Sequence, residues 1–167
     1  MPERRTRRAT LAAGLTGALA LALAPAAHAA RADEGAALTE LIRAEEDAAF
    51  AYRSAALPDG LGERLAAQDL DHVRALATLL EALTMRIPDP ARTRADLPPE
   101  ALAVLEPDAI GERLRAAVAY ERALIDGCAR ALPALEHANT VRTVATVMAG
   151  HAQHEVQLAR LAGMRTL

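Results

Sequence analysis

Six polar residues stand where the surrounding pattern calls for apolar ones: Glu45, Asp69 with His72, Glu121, and His151 with His154. Each interrupts a stripe of Leu, Ile, Val, Ala or Met at helical spacing. An unpaired charge in a core is costly, so six such residues at equivalent levels call for a common explanation. A bound cation supplies one. Residues three apart share a helix face, so each pair can aim at one point, and Glu45 and Glu121 add a carboxylate each. Carboxylate oxygens with neutral imidazoles suit iron, manganese, zinc or copper.

Every one of these residues also has a plainer reading. Glu45 adjoins Glu46 and Asp47, a charge run typical of a solvated face, although only Glu45 falls on the apolar seam. Glu121 would reach the surface if its helix rotated by one residue. Asp69 can orient His72 instead of binding metal, and His151 can simply line the site. Tyr52, one heptad after Glu45, reads as a core aromatic, or else as a hydrogen-bond partner of a ligand carboxylate or a redox relay. Cys128 reads as a small buried apolar residue, and His137 as a solvated turn residue.

Four amphipathic helices would carry the six residues. The first is expected over 37–56, with Leu38, Leu41, Glu45, Ala48, Tyr52 and Ala55 on one face, and Leu57-Pro58-Asp59-Gly60 stops it. The second, over 62–85, has Leu65, Asp69, His72, Leu76, Leu79 and Leu83 on its seam. The third runs from about Ala109 to Pro133, with Ile110, Leu114, Ala117, Glu121, Leu124 and Cys128 aligned. Asn139 or Thr140 can cap the fourth, which presents Val144, Val147, His151, His154, Leu158 and Leu161. The proline-rich connection over 86–108, with a short helix near Glu100 to Leu105, is long enough to cross over between parallel second and third helices.

Residues 1–29 read as an export signal. Arg4-Arg5 and Arg7-Arg8 precede an apolar run from Leu11 to Leu23, then Pro25 and Ala27-His28-Ala29. The run falls short of the roughly 20 residues that span a bilayer. Thr6-Arg7-Arg8-Ala9-Thr10-Leu11 is similar to a twin-arginine signal, without its usual Phe and Lys. Residues 30–167 would then form one domain with no stable membrane span. It is expected outside the cytoplasm, in the periplasm, the cell envelope or the extracellular space.

Composition fits this plan. The 167 residues are 52% hydrophobic and only 2% aromatic, and their richness in Ala and Leu favours helix over sheet. A net charge of −3 gives no basic field for nucleic acid. One cysteine excludes an internal disulfide framework. No nucleophile elbow, phosphate-binding glycine loop or Cys-x-x-Cys pattern appears.

The stretch Ala66-Ala67-Gln68-Asp69-Leu70-Asp71-His72-Val73-Arg74-Ala75-Leu76 resembles the second helix of secreted bacterial ferritin-like domain proteins, where Glu-x-x-His precedes an apolar run. Ala44-Glu45 through Phe50-Ala51-Tyr52 resembles their first helix. This resemblance to the ferritin-like superfamily implies an all-α, ferritin-like four-helix bundle with a long crossover between helices 2 and 3. It also implies iron or manganese held by single glutamates at Glu45 and Glu121 and by paired ligands at Asp69–His72 and His151–His154. Asp69 is one methylene shorter than the family's Glu, and His151 stands where a carboxylate is expected. An imidazole with one free lone pair cannot bridge two metals as a carboxylate does, so one ion or a lopsided pair becomes the expectation. The functions implied are redox chemistry or metal sequestration, and a homo-oligomer is compatible with either. The alternatives are a metal-free envelope module whose polar residues satisfy one another, or a small-ligand binder.

Overall fold

The computed structural model describes residues 7–90 and 93–164; of the side chains before Arg31, only that of Ala29 is described. Among the described residues every regular element is helical. The helices are α1 (Arg7–Ser54), α2 (Leu61–Ala82), α3 (Pro99–Leu105), α4 (Ile110–Ala131) and α5 (Ala138–Leu161). The all-α expectation holds. The export signal expected over 1–29 falls, Ala29 apart, outside the residues whose side chains are described. No described helix is long and apolar enough to cross a membrane.

Helices α1 and α2 pack as one hairpin and α4 and α5 as another. Contacts between α1 and α4 and between α2 and α5 join the two hairpins, and α3 lies against α4 and α1. The first hairpin turns sharply at Pro58–Gly60, where Asp59 and Gly60 take left-handed backbone angles (φ 53° and 64°). A Cβ at Gly62 would lie 2.3 Å from the Tyr52 carbonyl oxygen, so glycine is what lets α2 start this close to the last turns of α1.

The apolar interior divides into two clusters. One gathers Ala48, Tyr52 and Ala55 of α1, Leu61 and Leu65 of α2, Leu114 and Ala117 of α4, and Leu158 of α5, with Leu97, Ala101 and Val104 from the crossover. The other gathers Leu38 and Ile42 of α1, Leu76 and Leu80 of α2, Cys128 of α4, and Val144 and Val147 of α5. The order in which each helix visits the clusters fixes its direction. Helices α1 and α5 run one way, and α2 and α4 the other. Two successive long helices that run in the same sense need the connection from Leu83 to Ala109 to return the chain along the fold. The buried side chains of α3 and Leu97 seal one end on the way.

Several expected details differ. Helix α1 begins well before residue 37. Helix α2 ends at Ala82 and not near Met85, because Thr84 adopts a left-handed φ of 60°. Ile110 and Leu161 are 45% and 50% exposed, since they lie in the terminal turns beyond the packed length of their helices. The residue preceding α5 is His137, and neither Asn139 nor Thr140 caps it. Thr140 is instead buried and hydrogen-bonded to the Glu34 carboxylate.

Candidate metal centre

The six residues read from the sequence come together at the level that separates the two apolar clusters. Glu45, Asp69, Glu121, His151 and His154 are buried, and His72 is partly so. Ligand atoms of Glu45, Asp69, His72 and His151 all lie within 4.8 Å of one another, and so do those of Glu121, His151 and His154. The stripe positions explain the convergence. In α1, α2 and α5 the polar residue or pair falls between the residues that feed one apolar cluster and those that feed the other.

One lobe of the site is fully hydrogen-bonded. His151 places Nε2 2.7 Å from Glu45 Oε1 and Nδ1 2.8 Å from Glu121 Oε2. Both carboxylates accept, so the ring donates from both nitrogens and is an imidazolium. Burial by itself would lower the His151 pKa. The hydrogen bonds and charges of Glu121 and Glu45 outweigh it and push the value up to about 10. Burial likewise works to raise Glu45 and Glu121, but their histidine partners hold both carboxyls below the ordinary range. Glu45 Oε2 also accepts from His72 Nδ1 at 3.0 Å, and Glu121 Oε1 accepts from the Tyr52 hydroxyl at 2.6 Å. Tyr52 is therefore both core aromatic and carboxylate partner.

The other lobe holds polar atoms without hydrogen-bond partners. His154 Nε2 lies 2.7 Å from Gln68 Oε1 and donates to it, so in the neutral ring Nδ1 carries the lone pair. That Nδ1 has no hydrogen-bond partner, and neither oxygen of Asp69 has one. It faces Glu121 Oε1 at 3.4 Å and Asp69 Oδ1 at 3.9 Å. Burial and the negative charges of Glu45 and Glu121 drive the Asp69 pKa well above the carboxylate range. Even a protonated Asp69 is too far from Nδ1 at 3.9 Å for a hydrogen bond.

These separations suit a cation. Two atoms each about 2.1 Å from one metal lie roughly 3.4 Å apart at the tetrahedral angle and farther apart at wider angles. The orphaned Asp69 oxygens and His154 Nδ1 are thus what a bound ion would satisfy, and the donor set fits a transition metal.

Some partners were not visible beforehand. Gln68 is exposed at its own position, and nothing in the sequence links it to His154, 86 residues away. Gly150 left a signal in an Ala-rich helix beside His151, because a glycine there weakens the helix. His137, read as solvated, is exposed but holds Glu34 at 2.6 Å from its Nδ1. Cys128 is buried as expected, its thiol pushed up to about 12 by burial and by Glu45.

Comparison with protein families, with curated proteins and with solved structures finds no match to this chain.

Proposed function

We propose that this chain is an exported ferritin-like protein that binds a transition metal, as one ion or an unequal pair, inside its helical fold. Its role would be metal-dependent redox chemistry or metal sequestration outside the cytoplasm. The observation that carries the reading is the buried unpaired lobe, where both Asp69 oxygens and His154 Nδ1 lie beside Glu121 without a hydrogen-bond partner. A buried carboxylate left without any partner costs about 1–3 kcal/mol or more, and a cation relieves that cost. The crossover, the parallel α2 and α4 and the polar layer between two apolar clusters support the ferritin-like reading.

Iron or manganese is the resident ion the resemblance favours, and zinc or copper also suits the donors. When bound, iron or manganese supplies one-electron chemistry. The chain's own part is to hold and shield. Asp69, His154 and Glu121 would grip the ion on one side, with Glu45, His72 and His151 on the other. The Tyr52 hydroxyl fixes the Glu121 carboxylate, and Gln68 fixes the tautomer of His154. Apolar layers above and below keep bulk water out.

A second reading has its own observation. The Glu45–His151–Glu121 clamp is charge-balanced and hydrogen-bonded without any metal, as a structural or interaction module would require. Metal analysis separates the two. Purified protein reconstituted with iron, manganese, zinc or copper should retain about one ion or more per chain, and the His72→Ala/His154→Ala double variant should retain none. A wild-type protein that takes up no metal, with melting unchanged by added metal, supports the metal-free module.

A further inference from the structure

One member of the polar cluster reaches the surface more than the rest. The side chain of His72 is 18% exposed, whereas those of Glu45, Asp69, Glu121, His151 and His154 are at most 6% exposed. His72 stands on α2 and faces α5, and the residue opposite its ring is Gly150. A Cβ built at Gly150 would lie 3.0 Å from both Cε1 and Nε2 of that ring. The imidazole edge therefore occupies the space that any other residue's side chain would fill. Glycine in mid-helix is unfavourable relative to alanine, and α5 otherwise uses alanine freely, at Ala145, Ala149 and Ala152. The choice at 150 makes sense through His72.

The hydrogen bonding adds a second point. His72 Nδ1 donates to Glu45, so in the neutral ring Nε2 carries the lone pair, and this is the ring edge against Gly150. The ring is held by a single side-chain hydrogen bond, with bare backbone on the Gly150 side and the His151 and His154 rings 5.3 and 6.4 Å away between centroids. A groove of about 1050 Å³ between α1 and α4 also touches Glu45. Glu45 is only 1% exposed, however, so His72 is the better-exposed member of the cluster.

We propose that Gly150 is a positioning residue for His72, and that a hydrated divalent cation reaches the cluster through the α2–α5 seam past a turning His72 imidazole. This inference rests on the metal-binding reading above. In it, Gly150 supplies the clearance for the ring to leave the opening and to re-engage once the ion is inside. A methyl group at position 150 would press the ring out of place and remove His72 from the ligand set.

Cobalt(II) alone is the probe, in full-length protein, with visible absorption for coordination and stopped-flow for uptake rate. Gly150→Ala should slow uptake at least tenfold and give a cobalt spectrum matching that of His72→Ala. The Gly150→Ala/His72→Ala double variant should behave as His72→Ala alone, because the clash disappears with the ring. A Gly127→Leu variant, which fills the α1–α4 groove, should leave the rate unchanged. Gly150→Ala with wild-type rate and spectrum, or a slowed Gly127→Leu, would overturn the proposal. A nuclear Overhauser effect between the Gly150 Hα and His72 Cε1–H protons in metal-free protein checks the contact independently of any ion, and its absence also overturns the proposal. Wild-type protein that shows this contact but never takes up cobalt overturns the metal reading itself, and the uptake port with it.

Discussion

Metal binding should expel protons, and the structure sets their number. In the metal-free protein His151 is an imidazolium with a pKa of about 10, clamped between Glu45 and Glu121. Asp69, raised well above its ordinary value by burial and by its two carboxylate neighbours, holds its proton to higher pH than an ordinary carboxyl. A metal accepts neutral imidazole and ionised carboxylate, so an ion held by both residues must displace both protons. While both residues hold their protons the release should be about two protons per ion, and the apparent affinity should rise about a hundredfold per pH unit. Above the pKa of Asp69 the release falls to about one, and above about pH 10 to zero. Calorimetric titration with zinc in two buffers of different ionisation enthalpy counts the protons directly. No release between the Asp69 and His151 values would leave His151 as a clamp outside the ligand set. Tight binding with no release below both values would refute the charge assignment of the whole centre.

Other perturbations test separate parts of the structure. Asp69→Leu should raise the metal-free stability by about 1–3 kcal/mol in urea denaturation, because it removes a buried carboxylate that has no partner, and it should abolish stabilisation by added metal. Gly62→Ala forces a methyl group against the Tyr52 carbonyl and should cost at least about 2 kcal/mol, read from the same denaturation curves. Tyr52→Phe, which leaves Glu121 Oε1 without its donor, should cost about 1–2 kcal/mol in the metal-free protein. Glu34, buried and bonded to His137 and Thr140, has a pKa below its usual 4.5 although burial opposes the shift. A depressed carboxyl contributes stability above its unfolded pKa and loses it as pH falls through the folded value. Glu34→Gln should therefore weaken the protein at pH 7 and differ progressively less from wild type below about pH 4, as followed by urea midpoints against pH.

Much of this arrangement was legible because polar residues in an apolar stripe are conspicuous at a period of 3.6. Glu45, Asp69, Glu121, His151 and His154 stood out for that reason, and burial followed from the stripe. The same periodicity overreached at Ile110 and Leu161, where it runs on past the point at which a neighbouring helix ends. It also could not tell Leu79 from Leu80, since seams drift around a helix and Leu80 is the fully buried one. The short helix of the crossover was readable from Pro98-Pro99 followed by apolar residues, and it forms as Pro99–Leu105. What stayed hidden were contacts set by three-dimensional neighbours alone: Gln68 with His154, Glu34 with His137, and Gly150 with His72. No local pattern encodes such pairs. The imbalance of the centre, one lobe satisfied and the other without hydrogen-bond partners, likewise emerges only from distances.

The most direct test of the central claim is anomalous diffraction from crystals of the protein grown with cobalt or manganese. A peak is expected inside the fold, about 2.1 Å from His154 Nδ1 and from an Asp69 oxygen, with Glu121 in reach. Well-ordered crystals in which Asp69 and His154 keep their places and the metal peaks lie only on the surface would contradict it.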